Sequence, residues 1–200
     1  DTCYEPIANV QHVAGAIRQP VLDRHTPRIL ALDAGYTNNS FGIGLYHVAK
    51  DGSDIIVKTD CVFSAIPEKT DAGHIKTNFI KMADVVVELS KMFNLKHVLF
   101  DRWQSIGEIQ RLRQLGINAT AYSPAWSDFE EVKSLILAGK LKTPMWEKSI
   151  NDFNPEDVYD MRKHPYTHLG YQIATVQSVG KKVTKPVKGD DDMFRTLVLA

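Results

Sequence analysis

Apolar positions along the chain follow two rhythms. "RILALD" (28–33) is a short apolar run of the kind a buried strand makes. "SFGIGLYHVA" (40–49) and "DIIVKTDCVFSAI" (54–66) are rich in β-forming residues, and "AKDGSD" between them carries a hairpin turn signal. Three strands in series are therefore expected first. From 73 to 94 the period changes. Ile75, Phe79, Met82, Val86, Leu89 and Phe93 recur at three and four, which predicts an amphipathic helix closed near Asn94. "KHVLFD" (96–101) predicts a strand, "IGEIQRLRQLG" (106–116) a helix stopped by Gly116, and "INATAYS" (117–123) another strand. "SDFEEVKSLILAGK" (127–140) predicts a helix, with Ser127 and Glu130 spaced as a capping box. "HPYTHLGYQIATVQSVGKKV" (164–183) predicts a helix that Gly180 ends, and "KGDDDMFRTLVLA" (188–200) an acidic helix start followed by an apolar stripe. The order β-β-β-α-β-α-β-α, with more helix after it, predicts an α/β fold: a mixed sheet with helices on both faces. Residues 1–27 hold Pro6, Pro20 and Pro27, show no period and are expected to form an irregular lead-in.

The polar positions that interrupt this pattern carry the chemistry. Two apolar strands end on a carboxylate, Asp33 and Asp101, and a third acidic cluster, Asp190-Asp191-Asp192, opens the last helix. Functional groups of open α/β sheets gather at the carboxyl ends of strands. If the strands of Asp33 and Asp101 are parallel neighbours, the two charges sit side by side, which is unfavourable unless a cation lies between them. Carboxylate oxygens without His or Cys suit Mg²⁺ or Mn²⁺. Two such ions about 4 Å apart clamp the attacking water and the leaving oxygen of a phosphodiester. The bland alternative stands beside this: an Asp after a strand also serves turns, and acids at a helix start also complement its dipole.

Composition narrows the field only a little. The chain has 200 residues, 24 Lys plus Arg and 24 Asp plus Glu, so net charge points to neither nucleic acid nor membrane. Its two cysteines, Cys3 and Cys61, form no CxxC pair and imply neither a zinc site nor a disulfide framework. No apolar run approaches the ~18 residues of a membrane span. Asp1 is not Met, and the last residues stop inside an apolar run, so an excised domain is expected, with 1–27 as a linker from an upstream domain.

Three blocks resemble one family. "LDAGYTNNSFGIGLYHV", "HVLFDRWQSIGEIQRLRQLGINATAYSPAWSDFEEVKSLILAGKL" and "KGDDDMFRTLVLA" are similar to the nuclease domain of the large terminase subunit of tailed bacteriophages. The second block is the most specific, and the likeness runs from residue 28 to 200, thinning at 145–185. It implies an RNase H-like fold over 28–200. It also implies a metal-dependent endonuclease that cuts concatemeric double-stranded viral DNA during packaging, in the host bacterial cytoplasm. By position, Asp33 and Asp101 become ligands of two divalent ions, Mg²⁺ or Mn²⁺. Asp191 becomes the third ligand, Asp192 the next candidate, and Asp190 lies one residue early. Asn39 stands where the family often carries a further polar group. Implied partners are an upstream ATPase motor domain, the small terminase subunit and the portal protein; the chain itself has no GxxxxGK[ST].

Other residues keep two readings. Arg102 beside Asp101 is a candidate phosphate contact. Lys181, Lys182, Lys185 and Lys188 form either a hairpin gripping a DNA backbone or a soluble loop. Arg111, Arg113, Lys133, Lys140 and Lys142 are expected on solvated faces, and Trp103 and Trp126 in the core rather than stacked on bases. His164 and His168 are spaced i, i+4 but lack a third ligand. Tyr36 and Ser40 are expected to serve the turn. Asp-x-Gly after a strand also resembles the phosphate loop of sugar kinases and actin-like ATPases. A Holliday-junction resolvase or transposase core, and a packaging-motor docking module with a decayed site, complete the alternatives.

Overall fold

The computed structural model describes residues 3–4, 11–12, 16–17, 24–34, 41–65, 68–69, 75–76, 79–101, 106–144, 169, 172–173, 176–184 and 191–200. After two-residue strands at Cys3–Tyr4, Gln11–His12 and Ala16–Ile17, the last two paired antiparallel, come three long strands: β1 (Pro27–Ala34), β2 (Phe41–Asp51) and β3 (Asp54–Ala65). Then follow α1 (Phe79–Met92), β4 (Asn94–Asp101), α2 (Ile106–Gln114), β5 (Ala119–Tyr122), α3 (Trp126–Leu137) and β6 (Leu141–Pro144). A small hairpin, β7 (Gln177–Val179) and β8 (Lys182–Thr184), precedes α4 (Asp192–Leu199).

The main sheet has the order Cys3–Tyr4, β6, β3, β2, β1, β4, β5. β1, β2 and β3 pair antiparallel, whereas β4 lies parallel to β1, β5 to β4 and β6 to β3. This is the RNase H-like arrangement. The β2–β3 hairpin turns at Gly52, whose φ of 62° suits a residue without Cβ. The lead-in is not wholly separate from the sheet, since Cys3 and Tyr4 pair with Thr143 and Pro144.

Strand alternation splits the core in two. Leu30 and Leu32 of β1, Ile43 and Leu45 of β2, and Val98 and Phe100 of β4 pack against Val86 of α1 and Leu112 of α2. Ala31, Tyr46 and Val62 face the other way, onto Val132 of α3 and Met193, Phe194 and Leu197 of α4. Helices therefore cover both faces, as expected.

Three local expectations need correction. The helix expected over 73–94 begins at Phe79, and Ile75–Lys76 pairs antiparallel with Glu68–Lys69 instead. Asn94 does not cap it; it opens β4. α3 starts at Trp126, so Ser127 is not its cap. Ala125 holds that position, and the Asp128 carboxylate accepts its backbone N–H at 2.7 Å. The helix expected to run to Gly180 is present at Leu169, Gln172 and Ile173, but it gives way to the β7–β8 hairpin over 177–184, with Gly180 (φ 62°) in the turn. Alternation in "VQSVGKKVT" satisfies a two-residue turn as well as a helix stop, and period alone does not separate them.

A buried ion cluster marks the amino end of β1. At a register shift in the β2–β3 pairing, Asp60 accepts from Arg28 Nε at 2.8 Å and lies 2.9 Å from His47 Nδ1. Arg28 also stacks over Phe93, 5.1 Å from the ring centre. Deleting one partner of such a cluster leaves an uncompensated charge, at about 3–5 kcal/mol.

Next to Asp60, the free Cys61 thiol is buried. Burial, with the Asp60 charge adding to it, pushes its pKa from 9.0 up to about 12. The folded protein keeps this proton where the unfolded chain loses it, so the resulting stabilisation is complete below pH 9 and is lost between pH 9 and about 12. In a Cys3→Ser background, urea denaturation from pH 9 to 11 should show Cys61→Ala losing less stability with rising pH. The slopes should differ by up to about 1.4 kcal/mol per pH unit.

Candidate acidic site

Two strands deliver the first two carboxylates. β1 and β4 are parallel neighbours with Leu32 opposite Phe100. The next residues are Asp33 and Asp101, and alternation turns both toward the α4 face. Asp33 is buried at 6% exposure and Asp101 is half-buried.

Small residues bring the third acid to them. Asp33 pairs across β2 with Gly42, and Ala31 with Gly44. Ala31, Gly42 and Gly44 thus form a shallow trough on the sheet, and α4 lies in it. A Cβ on Gly42 would stand 2.7 Å from the Asp192 carbonyl carbon and 3.0 Å from Thr196 Cγ2. One on Gly44 would stand 2.6 Å from Thr196 Oγ1. Glycine in a strand marks such close approach of a second backbone. The Tyr46 hydroxyl donates to Thr196 Oγ1 at 2.7 Å, and Thr196 donates to the Met193 carbonyl at 2.7 Å. Burial raises the Tyr46 pKa above its ordinary value, so this bond stays neutral.

Asp191 stands at the cap position of α4, yet its carboxylate makes no capping bond. The fully buried Gln172 does that work: its Oε1 accepts the Phe194 N–H at 3.0 Å. The Asp191 carboxylate instead accepts from Arg195 Nε at 2.7 Å. Asp191 and Asp192 are both buried at 4% exposure.

Arg195 registers all three sites at once. Burial works against its charged form, but the charges of Asp191, Asp33 and Asp101, with the Asp191 hydrogen bond, outweigh it and raise its pKa. One guanidinium therefore feels the ends of β1, β4 and the start of α4 together. The donor set is hard carboxylate oxygen, which fits Mg²⁺ or Mn²⁺. Among the described residues, no three His, Cys, Asp or Glu side chains are drawn close enough to hold an ion as they stand.

The other candidates divide. Lys181 and Lys182 are exposed on the β7–β8 hairpin, which touches α4 where Arg195 Nη2 lies 3.5 Å from the Val183 carbonyl. Arg102, Lys185, Lys188, Asp190, Asn39, Tyr36, Ser40, Trp103, His164 and His168 lie outside the described residues. Trp126 is half-buried. Arg111 pairs with Asp84 at 2.7 Å and Lys140 with Asp54 at 3.0 Å, which leaves them on solvated faces. A cleft of 580 Å³ lies toward the amino end of β1, lined by Ile29, Tyr46, Leu99, Leu135 and Leu197. Asp33, Asp101 and Asp191 do not line it; His47, His97, Asp128 and Glu131 are among its polar lining residues, but among the described residues no three such side chains are grouped to hold an ion.

Sequence reading missed Arg195, Gln172 and the glycine trough. The i, i+4 spacing of Asp191 and Arg195 and the alternating glycines in "FGIGL" were available signals. Gln172 gave none.

No family model and no curated protein matches the chain. Solved structures do. The large terminase nuclease from thermophilic phage G20c with bound magnesium superposes with a TM-score of 0.63 at 12% identity, over 100% of this chain and 92% of that one. The chain has the fold of a large terminase nuclease. The Thermus phage P74-26 large terminase nuclease domain gives 0.57 at 13% identity, over 100% and 90%. The HK97 bacteriophage large terminase gives 0.60 at 13% identity; there the match spans 90% of this chain but 40% of that longer one. Identities this low establish the RNase H-like fold, not an activity. Among the described residues, no helix is long and apolar enough to cross a membrane.

Two substitutions test the geometry. Gly42→Ala should push α4 off the sheet and destabilise the fold by about 1–3 kcal/mol in urea denaturation. Gln172→Leu should strand the Phe194 N–H and cost about 1–2 kcal/mol in the same measurement.

Proposed function

We propose that the chain is a metal-dependent endonuclease domain that cuts concatemeric double-stranded viral DNA during genome packaging. The observation that supports this reading is that Asp33 and Asp101 lie on adjacent parallel strands, while Asp191 accepts at 2.7 Å from an Arg195 that the charges of Asp33 and Asp101 also stabilise. The fold it shares with the magnesium-bound G20c nuclease adds to it.

In this reading Asp33, Asp101 and Asp191 hold two divalent ions, Mg²⁺ or Mn²⁺, with Asp192 as the adjoining candidate. The bound ions supply a water of lowered pKa and charge stabilisation at the leaving 3′-oxygen. The sheet holds Asp33 and Asp101 on adjacent parallel strands before substrate arrives, and the ions would draw the three donors together. Lys181 and Lys182 on the hairpin contact phosphates, with Arg102 and Lys185 as further contacts. Phosphate contacts carry no sequence information, and little cut-site preference follows. An upstream ATPase motor, the small terminase subunit and the portal are the proposed partners, in the host bacterial cytoplasm during phage assembly.

Supercoiled plasmid should be nicked and linearised with Mg²⁺ or Mn²⁺ and left intact with EDTA. Asp33→Asn and Asp101→Asn should each lower the rate by at least about 100-fold, with unchanged circular dichroism. Wild-type cleavage rates in either variant would overturn the assignment.

A further inference from the structure

Arg195 is the fourth residue of α4, and Asp191 stands four residues before it at the helix cap. The Arg195 side chain turns back toward the helix start, and Nε donates to Asp191 Oδ2 at 2.7 Å. That bond is charge-assisted and among the stronger kinds. Asp33 and Asp101 add their charges to the same guanidinium. The Asp191 carboxyl is 6% exposed, while the Arg195 side chain is 29% exposed. The cation therefore closes the cluster from its solvent side and has room to swing away.

We infer that Arg195 is a built-in counter-cation of the acidic site, so that a divalent ion gains the carboxylates only by displacing its guanidinium. The inference rests on the proposal that Asp33, Asp101 and Asp191 bind metal. Like charges side by side are unfavourable, and the carboxylates need one cation or another; the protein supplies its own until an ion arrives. Displacement costs the Asp191 bond, which raises the ion concentration needed to load the site. The same side chain reaches the Val183 carbonyl at 3.5 Å, so its departure also releases a contact to β8 of the lysine-bearing hairpin.

Calorimetric titration of MnCl₂ into the DNA-free protein tests this without reference to cleavage. Arg195→Gln keeps a polar side chain of similar reach and removes the charge. It should bind Mn²⁺ at least about tenfold more tightly than wild type. Its metal-free melting temperature should be lower and its gain on adding Mn²⁺ larger. Arg195→Lys keeps the charge without the planar fork and should fall between the two. Equal or weaker Mn²⁺ binding by folded Arg195→Gln overturns the inference and leaves the nuclease reading standing. Absence of Mn²⁺ binding in wild type and both variants removes the metal site itself. If Arg195→Gln does not fold, the wild-type Arg195 Nε–H resonance decides. It should shift as MgCl₂ is added, and an unmoved signal while Mg²⁺ raises the melting temperature overturns the displacement.

Discussion

The repulsion between carboxylates gathered at one end of the sheet is the constraint on which the rest of this structure depends. Asp33 and Asp101 end adjacent parallel strands, and α4 brings Asp191 against them. Buried acids at that density are stable only beside positive charge. Arg195 contributes to it: its Nε donates to Asp191 at 2.7 Å, and the charges of Asp191, Asp33 and Asp101 outweigh burial and raise its pKa.

The means of assembly are mostly not charged. α4 reaches the sheet because Gly42 and Gly44 put no side chain in its path and Ala31 only a methyl group. It is held in place by the Tyr46–Thr196 bond and by Phe129, whose ring centre lies 6.0 Å from that of Phe194. Gln172 takes over the capping of the helix and leaves the Asp191 carboxylate to the cluster. At the other end of β1, Arg28, His47 and Asp60 make a second buried cluster. There each acceptor already has its partners within the core, so the charges serve the packing of β1, β2 and β3. The two clusters differ in what they leave open: Arg28 is 4% exposed, Arg195 29%.

The errors in reading the chain share one cause. "VQSVGKKVT" fits either a helix stop or a hairpin turn, because a glycine with positive φ ends both. Ile75 fits the three-four period of α1 but belongs to a short strand pair. In each case the local pattern was compatible with two structures, and the chain adopts the strand pairing, 177–179 with 182–184 and 68–69 with 75–76.

Periodicity by itself determined the order of the main elements, the two-sided covering of the sheet and the placement of Asp33 and Asp101 at strand ends. Those features depend on short-range alternation, which the chain writes directly in its residues. Resemblance added Asp191 as the third acid. Only the tertiary structure decided that the charges of these acids all act on Arg195, that Gln172 rather than Asp191 caps α4, and that the glycines of β2 are the floor on which the helix rests. Each of these joins residues separated by 20 to 150 positions or more, or by a change of element. Their register follows from how strands pair and helices pack, and no local pattern in the sequence records it.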